Sequence, residues 1–235
     1  MQRLRIRYAK RGRLRFTSHR DFSRAFERAV FRARIPMAYS SGFNPHPRIS
    51  YAGAAPTGSA SEAEYLEIGL AQVVDPAVVH AELAVALPDG LDVLQVVESP
   101  GGSLADLLTA SRWTIAVATG STQERQALAT AVESFLAAEQ ILVERMTKKG
   151  LREFDCRTAV VSLVVQEDTE LPTLDLVLRQ IVPAVRPDDV LTGLAKMTRD
   201  EARPNPGAPL MTRLAQGPLD EATGTVGDPL AASPA

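Results

Sequence analysis

The hydrophobic period of this chain switches from two to 3.6 and back, twice over, and that switching limits what it can fold into. In residues 3–8, Leu4, Ile6 and Tyr8 alternate with Arg3, Arg5 and Arg7, which is a strand with one buried face. Lys10-Arg11-Gly12 reads as a turn or bulge, and Arg13-Leu14-Arg15-Phe16 resumes the alternation. Phe22, Ala25, Phe26, Ala29, Val30 and Ala33 then fall at the i, i+3, i+4 spacing of an amphipathic helix. Ser18 stands where an N-cap belongs, with Asp21 three residues on, and Pro36 ends the helix at Ile35. Residues 49–52 and 64–70 predict strands, 75–87 a helix with Pro76 in its first turn, and 91–97 a buried strand. The order β-α-β-β-α-β within residues 1–98 is the ferredoxin-like split βαβ pattern.

Ser99-Pro100-Gly101-Gly102-Ser103 has the composition of a domain boundary. Beyond it a short helix follows Ser103, then a strand at 113–118, a helix at 122–138 and a strand at 141–146. Lys148-Lys149-Gly150 is a turn leading to a strand ladder through 160–165 and 174–178. A helix from Arg186 to Met197 and a last strand at 210–214 complete the series. The expectation is an α+β chain of two ferredoxin-like modules in tandem. The first is a basic domain over 1–98, joined by a linker at 99–104 to a second over 105–215. From Gln216 the Gly, Pro, Ala, Asp and Thr content predicts a disordered tail over 216–235.

The charges are split along the chain. Residues 1–50 hold thirteen Lys/Arg and two acids, a net of +11. The whole chain has 26 basic and 28 acidic residues, so the remainder carries thirteen and twenty-six, a net of -13. This asymmetry points to an anionic partner for the first module. One cysteine, Cys156, rules out a disulfide framework and a thiolate cage, and His19, His46 and His80 are too scattered to suggest a metal site. No metal and no cofactor are expected. No apolar run approaches the ~20 residues of a membrane span, and the N-terminus lacks the apolar core of a secretory signal. A cytoplasmic protein with no membrane partner is therefore expected.

Two groups of candidate site residues emerge. The first is a phosphate-binding surface. With Leu4, Ile6, Tyr8, Leu14 and Phe16 inward, Arg3, Arg5, Arg7, Arg13 and Arg15 project together from a sheet face free of helices. Lys10 and Arg11 lie at the turn, Arg24 and Arg28 on the helix. Such guanidiniums attract phosphates and release counterions. The alternative is a solvated strand face, or one paired with the acidic half. Lys148, Lys149 and Arg152 form a second clamp or an exposed turn, which Asp155 braces. Outward aromatics are lacking, which argues against base stacking on the sheet.

The second group is a ligand pocket. The loop at 39–48 holds two prolines and a glycine, a rigid backbone not needed merely to join a helix to a strand. Tyr39, Ser41, Gly42, Asn44, His46 and Arg48 can converge there with Ser18 and His19 at the helix start, and with Glu64. An anion at a helix N-terminus, proton transfer by the two imidazoles, or simple bracing of the loop are each consistent with these residue types.

The run Phe16-Thr17-Ser18-His19-Arg20-Asp21, with Arg28-Ala29, Ile35-Pro36 and the stretch from Tyr39 to Ser50, resembles an uncharacterised bacterial family called radical SAM-linked proteins. Gly42-Phe43-Asn44-Pro45-His46-Pro47 is its most specific part. The likeness continues at Gly58, Ser61, Glu64, Thr147-Lys148-Lys149-Gly150, Asp155 and Arg157, and spans most of residues 1–200. Arg20 departs from the family pattern, which has leucine there, so any role of that side chain is specific to this member. Members form the C-terminal domain of radical S-adenosylmethionine proteins or stand free. The free-standing actinobacterial type is encoded near a ribonuclease E/G-type enzyme. The resemblance thus implies a radical SAM or ribonuclease E/G-type partner and a place in rRNA or tRNA processing or modification. It supplies no catalytic residues. A radical SAM cluster takes three cysteines, so this chain does not build one itself.

Together these readings predict a non-catalytic RNA-binding accessory protein. The alternatives are an adaptor that presents substrate to a radical SAM partner, or a small hydrolase or transferase using His19 and His46.

Overall fold

In the computed structural model the described residues are 1–117, 122–147, 150–166, 172–198 and 209–231. The architecture is mixed α+β with four α-helices among them. The chain divides into two compact units, residues 1–108 with 228–235, and residues 109–227.

The first unit runs β1 (Gln2–Lys10), α1 (His19–Arg32), β2 (Ile49–Ala52), β3 (Ala60–Leu70), α2 (Pro76–Ala86) and β4 (Leu91–Glu98). Its strands pair antiparallel in the order β4-β1-β3-β2. Leu4, Ile6 and Tyr8 of β1, with Leu66, Ile68 and Leu70 of β3, meet Phe22, Phe26, Ala29 and Val30 of α1 and Val79 and Leu83 of α2. The period-2 and period-3.6 stripes therefore share one core. Ser18 caps α1, its hydroxyl accepting from the Asp21 N–H at 3.2 Å. Asp75 does the same for α2 through the Ala77 N–H at 2.9 Å, with Pro76 in the first turn.

The other face of this sheet is covered. Ala52, Ala63 and Tyr65 pack with Leu104, Leu108 and Leu230. The segment expected as a linker at 99–104 therefore belongs to the first unit, and the division falls after Leu108. Leu104 and Leu108 are core residues that a reading of the local Gly/Ser composition passes over. Residues 13–16, expected as a strand, form a 3-10 turn over Gly12–Phe16. Gly12 at φ 55 turns the chain, and Leu14 N–H donates to Arg11 O while Thr17 N–H donates to Leu14 O. Four alternating residues are too few to outweigh that reversal.

The second unit runs β5 (Ala110–Ala116), α3 (Thr122–Ala137), β6 (Leu142–Thr147), β7 (Gly150–Asp155), β8 (Val160–Gln166), β9 (Thr173–Arg179), α4 (Pro187–Met197) and β10 (Leu210–Gly217). Four strands pair antiparallel in the order β10-β5-β9-β8. Among the described residues β6 and β7 pair only with each other as a separate hairpin, where the sequence suggests one continuous ladder. α4 packs closely through Gly193, where a Cβ would lie 2.8 Å from Cys156 Sγ and 2.9 Å from Phe135. The tail expected to be disordered from Gln216 is instead ordered to Ala231. β10 continues to Gly217, and β11 (Leu219–Asp220) pairs with β12 (Thr225–Val226). Leu219 N–H donates to Thr109 Oγ1 at 2.9 Å, and Leu230 is buried, so polar composition here reflects turns rather than disorder.

Candidate nucleic-acid interface

The β1 arginines do not form the open basic face expected of them. Arg5 is 2% exposed. Its Nε donates to Glu67 at 3.1 Å, and its Nη2 donates to the carbonyls of Gly101 at 2.6 Å and Gly102 at 3.3 Å. Arg5 and Glu67 are directly opposed on β1 and β3, where an opposite-charge pair is favourable. Glu67 also accepts from Arg3 at 3.2 Å and from the Ser99 hydroxyl at 2.7 Å. Arg7 donates to the Glu62 carbonyl at 2.8 Å, and Arg11 bridges the Glu62 and Asp92 carboxylates. Lys10 is buried, and Arg15 lies over the Phe16 ring at 4.6 Å. Arg5 and Lys10 are thus buried and Arg7 and Arg15 engaged within the fold, whereas Arg3 and Arg11 pair with carboxylates and keep nearly half of their side chains exposed, so these cations do not project together as the alternation alone suggests.

The free charge lies on α1. Arg20, Arg24 and Arg28, one every fourth residue, are exposed and make no hydrogen bond or ion pair within the described residues. At 1.5 Å rise per residue they form a stripe with about 6 Å between successive positions. The helix buries Phe22, Phe26, Ala29 and Val30, so its opposite side presents this stripe. Arg13 is likewise exposed and free. Arg152 is exposed on β7 of the second unit, while Lys148 and Lys149 lie outside the described residues.

The stripe leads to aromatic surface. Phe31 is 83% exposed, Tyr39 54% and Phe43 fully so. Between the C-terminal half of α1 and the following loop is a cleft of about 470 Å³ lined by Glu27, Val30, Phe31, Arg34, Ile35, Met37, Tyr39 and Pro47. α1 ends in a Schellman turn, Ile35 N–H donating to Val30 O and Arg34 N–H to Phe31 O. The left-handed position is taken by Arg34 at φ 53, where glycine would be unstrained. Phe31, Arg34 and Phe43 carry no mark in the sequence as site residues, and Arg20 stands out there only as a departure from the family pattern. Only an apolar residue off the buried stripe, as Phe31 is, could have drawn attention.

The predicted pocket residues divide. Tyr39 lines the cleft, and the loop is pinned by Ser40 N–H donating to His46 O at 2.9 Å and His46 N–H to Ser40 Oγ at 3.0 Å. Ser41, Gly42, Asn44 and His46 are exposed around that turn, with Gly42 at φ 132. Arg48 donates to the Tyr39 carbonyl at 3.4 Å and stacks its stem on Gly69. His19 is not joined to this loop by a hydrogen bond, ion pair or ring contact among the described residues. It lies at the N-terminus of α1, edge-on to Tyr51 at 4.9 Å and 3.4 Å from the Ser23 hydroxyl. Ser18 serves as the cap. Glu64 is buried and accepts from the Ala55 N–H at 3.2 Å. Burial raises the Tyr51 phenol above its usual range, aided by the Glu27 charge.

In the second unit, Asp155 braces the turn that follows β7; the turn at Lys148-Lys149, which the sequence suggests it braces, lies outside the described residues. Its carboxylate accepts from the N–H groups of Ile141 at 3.1 Å and Arg157 at 3.0 Å and from the Thr158 hydroxyl.

The sequence model of a family described as an uncharacterised protein conserved in bacteria, DUF2344, matches residues 3–187. The chain belongs to this family. Its matched span includes the α1 stripe, the 39–48 loop and most of the second unit. No curated protein matches the sequence. Among the described residues no group of three or more His, Cys, Asp or Glu is placed to hold a metal ion, and no helix is long and apolar enough to cross a membrane.

Proposed function

We propose that this DUF2344 protein is a non-catalytic RNA-binding accessory protein that grips phosphates with the outer face of α1. The observation that carries the reading is the stripe of Arg20, Arg24 and Arg28, exposed and unpaired among the described residues, with the exposed rings of Phe31 and Tyr39 at the cleft where the helix ends. Guanidiniums supply counterion-releasing phosphate contacts, and exposed rings supply stacking for unpaired bases. Both units are read as ferredoxin-like, which the two β-α-β-β-α-β orders support, the second with the β6–β7 hairpin inserted. The protein acts in the cytoplasm, in rRNA or tRNA processing or modification. Its partner is a radical SAM or ribonuclease E/G-type protein, as the radical SAM-linked resemblance implies.

The test is affinity for single-stranded RNA against salt. Three to four phosphate contacts give a slope of log K on log salt of roughly -2 to -3. Arg24→Glu with Arg28→Glu should flatten that slope by about 1 to 2 and weaken binding at low salt. Absence of binding to total cellular RNA at low salt would refute the reading. An adaptor role draws on the same exposed rings. It predicts instead a partner protein that stays bound after ribonuclease treatment.

A further inference from the structure

We infer that the cleft at the end of α1 takes a single unstacked guanine of the bound RNA, read by the Glu27 carboxylate. This rests on the RNA-binding reading and adds the base to it. The cleft volume, about 470 Å³, is that of a small-ligand site, and its floor of Val30, Ile35, Met37 and Pro47 is apolar. Phe31 and Tyr39 stand exposed at its edge, as a stacking site for an unpaired base requires.

Glu27 is the feature that selects the base. It is the one acid of the cleft lining, it is exposed, and it makes no hydrogen bond or ion pair among the described residues although Arg24 and Arg28 flank it in sequence. A carboxylate in a cationic phosphate-binding surface repels RNA backbone, so by itself it works against binding. It is useful where a base offers it donors. An ionised carboxylate only accepts. Guanine presents two adjacent donors, N1–H and the N2 amine, on its Watson–Crick edge. Adenine, cytosine and uracil each place an acceptor beside their donor there, which a carboxylate repels.

Arg34 completes the site. It lines the cleft from a left-handed backbone position that costs a non-glycine residue about 1 kcal/mol or more. A helix end that keeps arginine where glycine is cheaper retains a guanidinium at the cleft mouth, suited to the phosphate attached to the bound nucleotide.

The experiment is fluorescence anisotropy of the full chain with labelled oligouridine and with the same oligomer bearing one central guanosine, inosine, adenosine or cytidine. Guanosine should bind about tenfold tighter than the other standard bases. Inosine, which lacks the N2 amine, should lose most of that gain. Glu27→Gln should bring the guanosine-to-uridine ratio close to one. Equal binding of all oligomers, or a ratio unchanged in Glu27→Gln, would overturn the guanine assignment and leave RNA binding standing. Failure of every oligomer to bind at low salt would remove both, and a protein retained through the Phe31–Tyr39 surface would then be its occupant.

Discussion

Replacing Arg5 by methionine separates a structural arginine from a binding one. Methionine keeps the stem of the side chain and removes the three donated bonds, to Glu67 and to the carbonyls of Gly101 and Gly102. Breaking a buried pair by deleting one partner costs about 3–5 kcal/mol. Glu67 is only partly buried and keeps Arg3 and Ser99, which places the cost near the lower end, about 3 kcal/mol. With a urea slope of ~1–3 kcal/mol/M, the midpoint of the first unit's unfolding should fall by roughly 1–3 M. Circular dichroism follows the whole chain, and Trp113 fluorescence follows the second unit, where that residue is buried in β5. The two probes should part company in the variant. Glu67→Gln in the same chain should recover a substantial share of the loss, since no unpaired charge is then left behind. At temperatures where the variant is folded, its RNA affinity should match the parent. An unfolding free energy unchanged within about 0.5 kcal/mol, or RNA binding lost from a fully stable variant, would return the binding surface to the β1 face and refute this account.

Arg34→Gly should stabilise the first unit by about 1 kcal/mol in urea unfolding, by relieving the left-handed strain, while weakening RNA binding several-fold. An unchanged midpoint or unchanged affinity would contradict the role given to that residue. In the second unit, burial raises the Asp155 carboxyl, but hydrogen bonds from Thr158, Ile141 and Arg157 outweigh it and hold the group below the usual carboxylate range. A carboxyl depressed in the folded state adds stability that is present above its unfolded value, about pH 4, and lost as pH falls through the folded one. Asp155→Asn should therefore destabilise the second unit at neutral pH and flatten its acid dependence, read by Trp113 fluorescence from pH 7 to 3. An identical acid profile would count against it. Burial pushes the Cys156 thiol up to about 11, so alkylation at pH 7.5 should be negligible in the folded protein and rapid in urea. Fast labelling of the folded chain would mean that the second core opens.

Local order was legible where one element carries its own signal. The apolar spacing of α1, the Ser18 cap, and the alternation that buries Leu4, Ile6 and Tyr8 all lie within a few residues of each other. The fate of Arg5 was not, because its partners Glu67, Gly101 and Gly102 come from more than sixty positions away and alternation shows only which side a residue faces. For the same reason the covered second sheet face was hidden: Leu104 and Leu230 look like isolated apolar residues in Gly- and Ala-rich stretches. The site was half legible. The 39–48 loop and Arg24 and Arg28 stand out by composition. The joining of that loop to the far end of α1, rather than to His19, depends on where the helix stops and on the turn at Arg34.

The burial of Leu230 beside Leu104 and Leu108 has a consequence for how the protein is made. The first unit cannot close its second apolar cluster until a residue arrives that is translated after all of Thr109–Gly227. At ~5–20 residues per second that span takes roughly 6–24 s. During this interval the nascent first unit carries an unfilled apolar seat on the ribosome, while the second unit, contiguous in the chain, is being made.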